Sequence, residues 1–272
     1  MQCIRIGIST CPNDTFAFHA LMNGRVVVPG VEFAFELLDI EQLNEAVLAN
    51  RFDVAKASFH LALHVEDRYQ ILASGGALGF GVGPLLLAAN NVPMPQPHEA
   101  SNRLTLCPGR FTTANLLFKM FYPRSTRVEQ IVFSEIMPRL LTGSADFGVC
   151  IHEGRFTWQQ HGLELVEDLG KRWEVETRLP LPLGGILAAS SLERPIVSAI
   201  ENGIRQSIEY ARRHVGEALV TMQTYAQEFD NHVLMQHVDL YVNEWTLELG
   251  DIGRKALLEM KKRMTSEIGI DV

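Results

Sequence analysis

The chain has 272 residues, enough for one large or two modest domains. Apolar residues make up 47% and charged residues 21%, which excludes a disordered or collagen-like chain. With 24 Lys and Arg against 32 Asp and Glu the net charge is −8, which argues against nucleic acid or an anionic membrane surface as a partner.

The N-terminus carries no basic stretch followed by an apolar core and a small-residue cleavage site. It passes directly into the alternating Cys3-Ile4-Arg5-Ile6-Gly7-Ile8, which predicts a first strand. A cytoplasmic protein is expected. Its four cysteines, Cys3, Cys11, Cys107 and Cys150, form no Cys-x-x-Cys spacing and are read as reduced thiols. A polar turn, Ser9–Asp14, leads into a predicted helix over Thr15–Met22. Asn13 or Asp14 can cap that helix, whose first amides favour an anion, and a simple capped turn is the plainer reading of the same residues. Val31–Leu37 alternates as a strand, Ile40–Ala49 has helical periodicity, Asp53–Ala57 is a short strand and Phe59–Val65 a helix that Ser58 can cap. This βαβα order predicts a mostly parallel sheet covered by helices.

Tyr69–His98 contains no Asp, Glu, Lys or Arg, yet its glycines and Pro84 leave no apolar run long enough for a membrane, so it reads as a pair of buried strands. Asn90–Glu99 has three prolines in five residues and reads as a linker. A second alternating unit follows: strand Leu104–Cys107, helix Thr113–Phe121, strand Val128–Phe133, helix Glu135–Leu141 and strand Phe147–Ile151. Leu179–Gly185 is a second linker-like stretch, and Pro195–Met264 is almost wholly helical. The segments Asp53–Ser58 and Asp146–Ile151 resemble each other, each a buried strand after a helix and a tight turn. The expected fold is therefore α/β in two lobes, residues 1–90 plus 183–272 forming the first and 91–182 an inserted second. The ligand cleft lies between them, where strand C-termini and helix N-termini face each other.

Several chemistries have no motif here. There is no Gly-x-x-x-x-Gly-Lys-Ser/Thr and no Gly-x-Ser-x-Gly. Gly79, Gly81 and Gly83 precede Pro84 and an apolar run rather than the helix a dinucleotide site needs. His60 and His64 share a helical face without the carboxylate of a His-Glu-x-x-His site, and His232 and His237 are five apart, so no metal is expected. Pro108–Ala114 repeats the strand-turn-helix logic of Ser9–Thr15: Gly109 permits close backbone approach, and Thr112 and Thr113 present hydroxyls and amides. Such termini converging on one cleft would make a carboxylate receptor. His152 directly follows the strand Phe147–Ile151, which places an imidazole at the cleft edge. An ordinary imidazole pKa of ~6.5 suits general-base work, although histidines at strand ends are more often structural.

The runs Ser9–Phe16 (with Cys-Pro-Asn-Asp-Thr-Phe), Ser74–Gly79 with Gly81–Leu85, Pro108–Ala114, Ile151–Thr157 and Leu181–Gly185 together resemble the 1,4-dihydroxy-6-naphthoate synthase family, in the same order along the chain. That family belongs to the futalosine route to menaquinone. The resemblance implies a type II periplasmic-binding-protein-like fold with a helical C-terminal region. It implies an enzyme that converts cyclic de-hypoxanthinyl futalosine into 1,4-dihydroxy-6-naphthoate with release of dihydroxyacetone, using no metal or organic cofactor. It assigns His152 as the base and Lys56, Ala57 (through its backbone), Ser58, Thr112 and Thr113 as substrate contacts, and places Asn13 and Asp14 in the entrance motif. The implied partner is a small-molecule carboxylate, with no nucleic acid and no membrane; a homodimer is left open. A solute-binding protein and the sister enzyme chorismate dehydratase are the alternatives.

Overall fold

The computed structural model describes residues 2–89, 92–93, 95, 101–152, 154–226 and 230–267. Strand β1 (Gln2–Ser9) places Ile4, Ile6 and Ile8 on one fully buried face. On its other face Gly7 leaves room for Phe52 and Leu43, which a Cβ there would meet at 2.7–2.8 Å. Helix α1 (Pro12–Met22) follows, then β2 (Val31–Leu38), α2 (Ile40–Leu48), β3 (Val54–Ser58), α3 (Phe59–Ala62), β4 (Tyr69–Ile71) and β5 (Ala77–Gly79). The chain then crosses into a second sheet through β6 (Leu85–Ala88), β7 (Leu104–Cys107), α4 (Thr113–Phe121), β8 (Arg127–Gln130), α5 (Phe133–Leu141), β9 (Phe147–Cys150), α6 (Gly154–Thr157), β10 (Glu164–Asp168) and α7 (Leu169–Thr177). It returns as β11 (Leu181–Ala189) and ends in the helices α8 (Arg194–Arg213), α9 (Val215–Tyr225), α10 (Asn231–Tyr241), α11 (Glu244–Leu247) and α12 (Gly250–Glu267). Among the described residues no helix is long and apolar enough to cross a membrane.

The first sheet runs β2-β1-β3-β11-β4 with β5 also paired to β11, and the second runs β10-β6-β9-β7-β8. Within each, the three strands joined by helical crossovers are parallel, whereas β11 and β6 pair antiparallel with their neighbours. These two strands are the ones that enter from the other sheet, so no βαβ crossover dictates their direction. That departs from the mostly parallel expectation. Both sheets are covered by helices, and α1 packs on α8 and α9 over a core that includes Phe16, Phe18, Ile200, Ile204 and Ile208.

The two halves are superposable in their hydrogen bonding. Asp53 and Asp146 each accept the backbone N–H of the neighbouring strand at 2.8 Å, from Arg5 and Leu104 respectively. Their own N–H groups return to the carbonyls of those residues at 3.0 and 3.1 Å, and their carbonyls accept from Ala189 and Ala89. The resemblance between the segments that begin at Asp53 and Asp146 is thus a structural equivalence, with β1 matching β7, β3 matching β9 and β11 matching β6.

Three boundaries differ from the sequence reading. Leu85–Ala88 belongs to the second sheet, bonded by β9 and β10 on its two sides, so the first crossover lies at residues 80–84 and not at 90/91. Among the described residues Tyr69–His98 accordingly holds three strands rather than two, and the proline-rich stretch 90–99 falls mostly outside them. The stretch 179–185, read as a linker, opens the central strand β11. Pro182 is tolerated because β3 pairs only from Gly184 onward and the β5 register shifts between Pro182 and Gly184. The helix expected from Thr15 begins at Pro12, where a missing N–H costs nothing, and Cys11 takes the cap position with its thiol turned to His152 rather than to the helix amides. Phe133, expected to end a strand, starts α5.

The crossover at residues 80–84 runs directly against the start of α7. A Cβ built on Gly83 would lie 2.1 Å from Gly170 Cα, and one on Gly170 would lie 2.3 Å from Gly83 Cα. Backbone cannot yield as a side-chain tip can. Gly83→Ala and Gly170→Ala are each expected to lower stability by about 1–3 kcal/mol, the usual range for overpacking. Urea unfolding of the two single variants checks this.

Candidate active site

A cleft opens between the two sheets. Its walls come from the end of β1 and start of α1 (Ser9, Cys11, Asn13), from β3 (Lys56, Ser58), from the start of α4 (Thr112, Thr113), from the residues after β9 (Ile151, His152) and from α10 (His237, Tyr241). Ile40, Val82, Pro84 and Leu183 make the remainder apolar. Of the residues expected from sequence, the fold brings Asn13, Lys56, Ser58, Thr112, Thr113 and His152 together here. Ala57 and Asp14 do not line the cleft.

Lys56 is 4% exposed, and its Nζ lies 2.7 Å from Asp14 Oδ1. Asp14 Oδ1 also accepts from Asn13 Nδ2 at 2.8 Å, while Oδ2 accepts from the Ser9 hydroxyl at 2.7 Å and the Ser9 N–H at 3.3 Å. Asp14 therefore neither caps α1 nor waits for substrate: its oxygens are occupied in holding the lysine. The side chain of Ala57 alternates to the opposite face of β3, into the core with Phe59 and Leu61, which leaves its backbone, the part the resemblance implicates, as its one route to a ligand. Ser58 sits back on the cleft side. Its N–H donates to Asn44 Oδ1 at 3.0 Å and its Oγ accepts from Asn44 Nδ2 at 3.2 Å, which leaves the hydroxyl proton directed by neither bond.

The threonines are more committed than expected. Thr112 caps α4, its Oγ1 accepting from Asn115 N at 3.2 Å and donating to Gly109 O at 2.8 Å. Thr113 donates its hydroxyl to Leu183 O, across the lobes, at 2.9 Å. What they leave for a ligand is backbone: the first amides of α4 have no intrahelical acceptor and carry the positive end of the helix dipole. Gly109 shows why the turn is built this way. Its φ of +122° and the absence of a Cβ admit the Glu41 side chain, which a Cβ would meet at 2.4 Å. Glu41, unmarked in the sequence, reaches from α2 to accept the Arg110 N–H at 2.6 Å, and burial raises its pKa against the lowering effect of those hydrogen bonds.

His60 lies on the same seam. One ring nitrogen is 3.2 Å from Thr112 O, and the ring packs with His64 (5.2 Å between centroids) and Phe111 (6.1 Å). Burial pushes it down to about 4, with the neighbouring His64 adding to the effect. The pair thus serves contact between the lobes. Among the described residues no group of three or more His, Cys, Asp or Glu is arranged to hold a metal ion.

His152 follows β9, the strand beside β7 in the second sheet, and has a backbone φ of +54°. A side-chain-bearing residue in the left-handed region is uncommon, and such strain is concentrated at functional positions. One ring nitrogen lies 3.3 Å from Cys11 Sγ, Phe133 meets the ring edge-on at 4.7 Å, and His237 stacks at 6.3 Å. Glu153, its sequence neighbour, lies outside the described residues. His237 was set aside in the sequence because its spacing from His232 suits no metal site. Only the packing of α10 against α1 carries it to the cleft.

Two mixed sheets linked by crossovers, with a ligand cleft between them, are the architecture of the periplasmic ligand-binding proteins. The chain is similar in fold to the ligand-binding component of an ABC-type import system from Staphylococcus aureus, with a TM-score of 0.70 at 13% identity over 98% of this chain and 93% of that one. Sequence narrows the class. A family model described as menaquinone biosynthesis matches residues 4–266, and the chain belongs to that family. It is 41% identical to 1,4-dihydroxy-6-naphthoate synthase of Thermus thermophilus over 261 residues, covering 96% of this chain and 93% of the relative. It is 37% identical to the enzyme of the same name from Streptomyces coelicolor over 270 residues, covering 97% and 93%.

Two tests follow from this geometry. Asp14→Asn strands a buried ammonium and Lys56→Met a buried carboxylate, so each is expected to cost about 3–5 kcal/mol, with the double variant recovering part of the loss; denaturant unfolding of the three proteins reads the cycle. For His60 the folded state keeps the neutral ring. The stability it contributes is fully present above the unfolded value near 6.5 and is lost as pH falls from there toward about 4. His60→Asn is expected to flatten that segment of the stability curve, measured by urea unfolding at pH 7 and pH 4.5.

Proposed function

We propose that this chain converts cyclic de-hypoxanthinyl futalosine into 1,4-dihydroxy-6-naphthoate with release of dihydroxyacetone, and that His152 starts the reaction as general base. The observation that carries the reading is the arrangement across the cleft. A half-buried imidazole held on strained backbone, with the first amides of α4 on the same sheet, shares apolar walls with a buried lysine from the other sheet. A cyclic carboxylic acid fits such a site end to end. Its carboxylate lies toward Lys56, the α4 amides and the Ser58 hydroxyl, and its rings lie against Ile40, Val82 and Leu183. The carbon beside its carbonyl faces His152.

Each step follows from what the residues offer. His152 takes a proton from the carbon beside the carbonyl, the electron pair left behind forms a carbon–carbon double bond as the ring bond breaks, and the sugar-derived fragment leaves as an enolate that takes the proton back from the imidazolium. The remaining ring aromatises, so carbon–carbon cleavage is driven without net oxidation or reduction. Cys11, 3.3 Å from one ring nitrogen, and Phe133 hold the imidazole plane. The low-dielectric cleft strengthens the pull of Lys56 on the carboxylate. The site of action proposed is the cytoplasm, where thiols such as Cys11 stay reduced. A solute-binding protein needs no base in its cleft, and no observation at this site favours the smaller substrate of chorismate dehydratase.

Incubation with cyclic de-hypoxanthinyl futalosine should generate naphthoate absorbance, and chorismate should be left unchanged. Consumption of chorismate, or tight binding of the futalosine derivative without turnover, would overturn the assignment. His152→Asn is expected to retain substrate binding and to lose ~10²–10⁴ in turnover; a loss smaller than tenfold would place the base elsewhere.

A further inference from the structure

His237 is a second histidine in the cleft, and its protonation pattern is fixed by its surroundings. It is 1% exposed on α10, and its Nε2 lies 3.0 Å from Asn13 Oδ1. The orientation of the Asn13 amide is set from the other side, because its Nδ2 donates at 2.8 Å to Asp14, a carboxylate with no proton to give in its pair with Lys56. The amide oxygen must therefore face His237, and Nε2 must carry the ring proton that it accepts. Burial, with His152 and Lys56 close by, holds the ring well below its ordinary pKa and hence neutral. Nδ1 is then a bare lone pair. It is buried and has no hydrogen-bond partner among the described residues.

An unsatisfied acceptor in a cleft wall is costly unless the ligand supplies the donor. We propose that His237 Nδ1 accepts a hydrogen bond from a hydroxyl on the sugar-derived part of the substrate, making His237 the residue that selects a hydroxylated ring. The inference rests on the reaction proposed above, whose dihydroxyacetone product requires hydroxyls on the departing fragment. The naphthoate portion, with its carboxylate and ring oxygens, makes its own contacts elsewhere in the cleft. The chain Lys56–Asp14–Asn13–His237 thus makes one continuous relay of fixed donors and acceptors, which begins at a buried charge and ends at a buried, unpartnered lone pair on a residue of the cleft wall.

Asparagine and glutamine separate the two ring nitrogens. The amide of His237→Asn falls near Nδ1 and keeps an acceptor there, whereas that of His237→Gln falls near Nε2 and keeps the donor to Asn13 alone. Affinity for cyclic de-hypoxanthinyl futalosine and for 1,4-dihydroxy-6-naphthoate is measured by calorimetry in the His152→Asn protein, alone and with each His237 variant added. His237→Gln is expected to weaken the futalosine derivative about tenfold, the loss of one neutral hydrogen bond, and His237→Asn by less than about threefold. Naphthoate affinity should change by less than about threefold in both, since the sugar-derived hydroxyl leaves with the fragment and the two ring hydroxyls of the product are not the donor assigned to Nδ1. Unchanged futalosine affinity in His237→Gln, equal losses in both variants, or an equal loss for naphthoate would each overturn the assignment. Should His237→Gln fail to fold, ¹⁵N-histidine spectra of the His152→Asn protein decide: the His237 Nδ1 resonance moves upfield on addition of the futalosine derivative if it accepts a bond, and stays put if it does not. Turnover by the wild-type protein is scored separately. Binding without naphthoate release overturns the reaction and leaves the affinity comparison intact, and absence of binding overturns both.

Discussion

Lys56 occupies the interior of a central strand with 4% of its surface exposed, and an ammonium there is tolerated only because Asp14 stands 2.7 Å away with its other lone pairs already satisfied. A buried ion pair of this kind is poor evidence for stability but good evidence for a constraint: remove either partner and an uncompensated charge remains in low dielectric. The pair joins β3 to the first turn of α1, so it fixes where α1 begins relative to the sheet. From that flow the placement of Cys11 against His152 and of Asn13 against His237. A single electrostatic contact thereby orients side chains on both walls of the cleft.

The second constraint is the internal symmetry. Each half uses an aspartate at the start of its central strand to bind the neighbouring strand's N–H, and each presents a helix N-terminus at the same end of its sheet. Two copies of one βα arrangement, joined by crossovers that run antiparallel, face their strand ends toward each other, and the cleft results without any element dedicated to making it. The copies have diverged where chemistry differs. The position of Lys56 in the first half corresponds to Val149 in the second, so positive charge lies on one side and the imidazole of His152 on the other. The Glu41 contact to Arg110 and the Thr113 contact to Leu183 tie the two halves beside that site.

Local signals in the chain marked much of this. Alternation marked β1, β2 and β7, helical spacing marked α2 and marked α4 to the residue, and adjacency to a strand end singled out Ser58, Thr112 and His152. The reaction itself was not readable from spacing; it came from five ordered motifs that resemble one family. Misreadings fell where a local rule met a tertiary exception. Prolines around residue 182 looked like a linker but sit where no ladder N–H is needed. Asp14 looked like a cap and is a counter-ion. The hydroxyls of Thr112 and Thr113 looked free for a ligand and are taken up by capping and by contact between the lobes.

By itself, then, the sequence determined the element types, the two-lobe order and the residues standing at strand C-termini, because periodicity and turn chemistry act over a few neighbouring positions. Only the tertiary structure decided which sheet Leu85–Ala88 joins, which carboxylate faces Lys56, and that His237 enters the site at all. His237 meets Asn13 across 224 positions of chain. A contact of that span is set by how helices pack over a sheet, and no local pattern of residues encodes it.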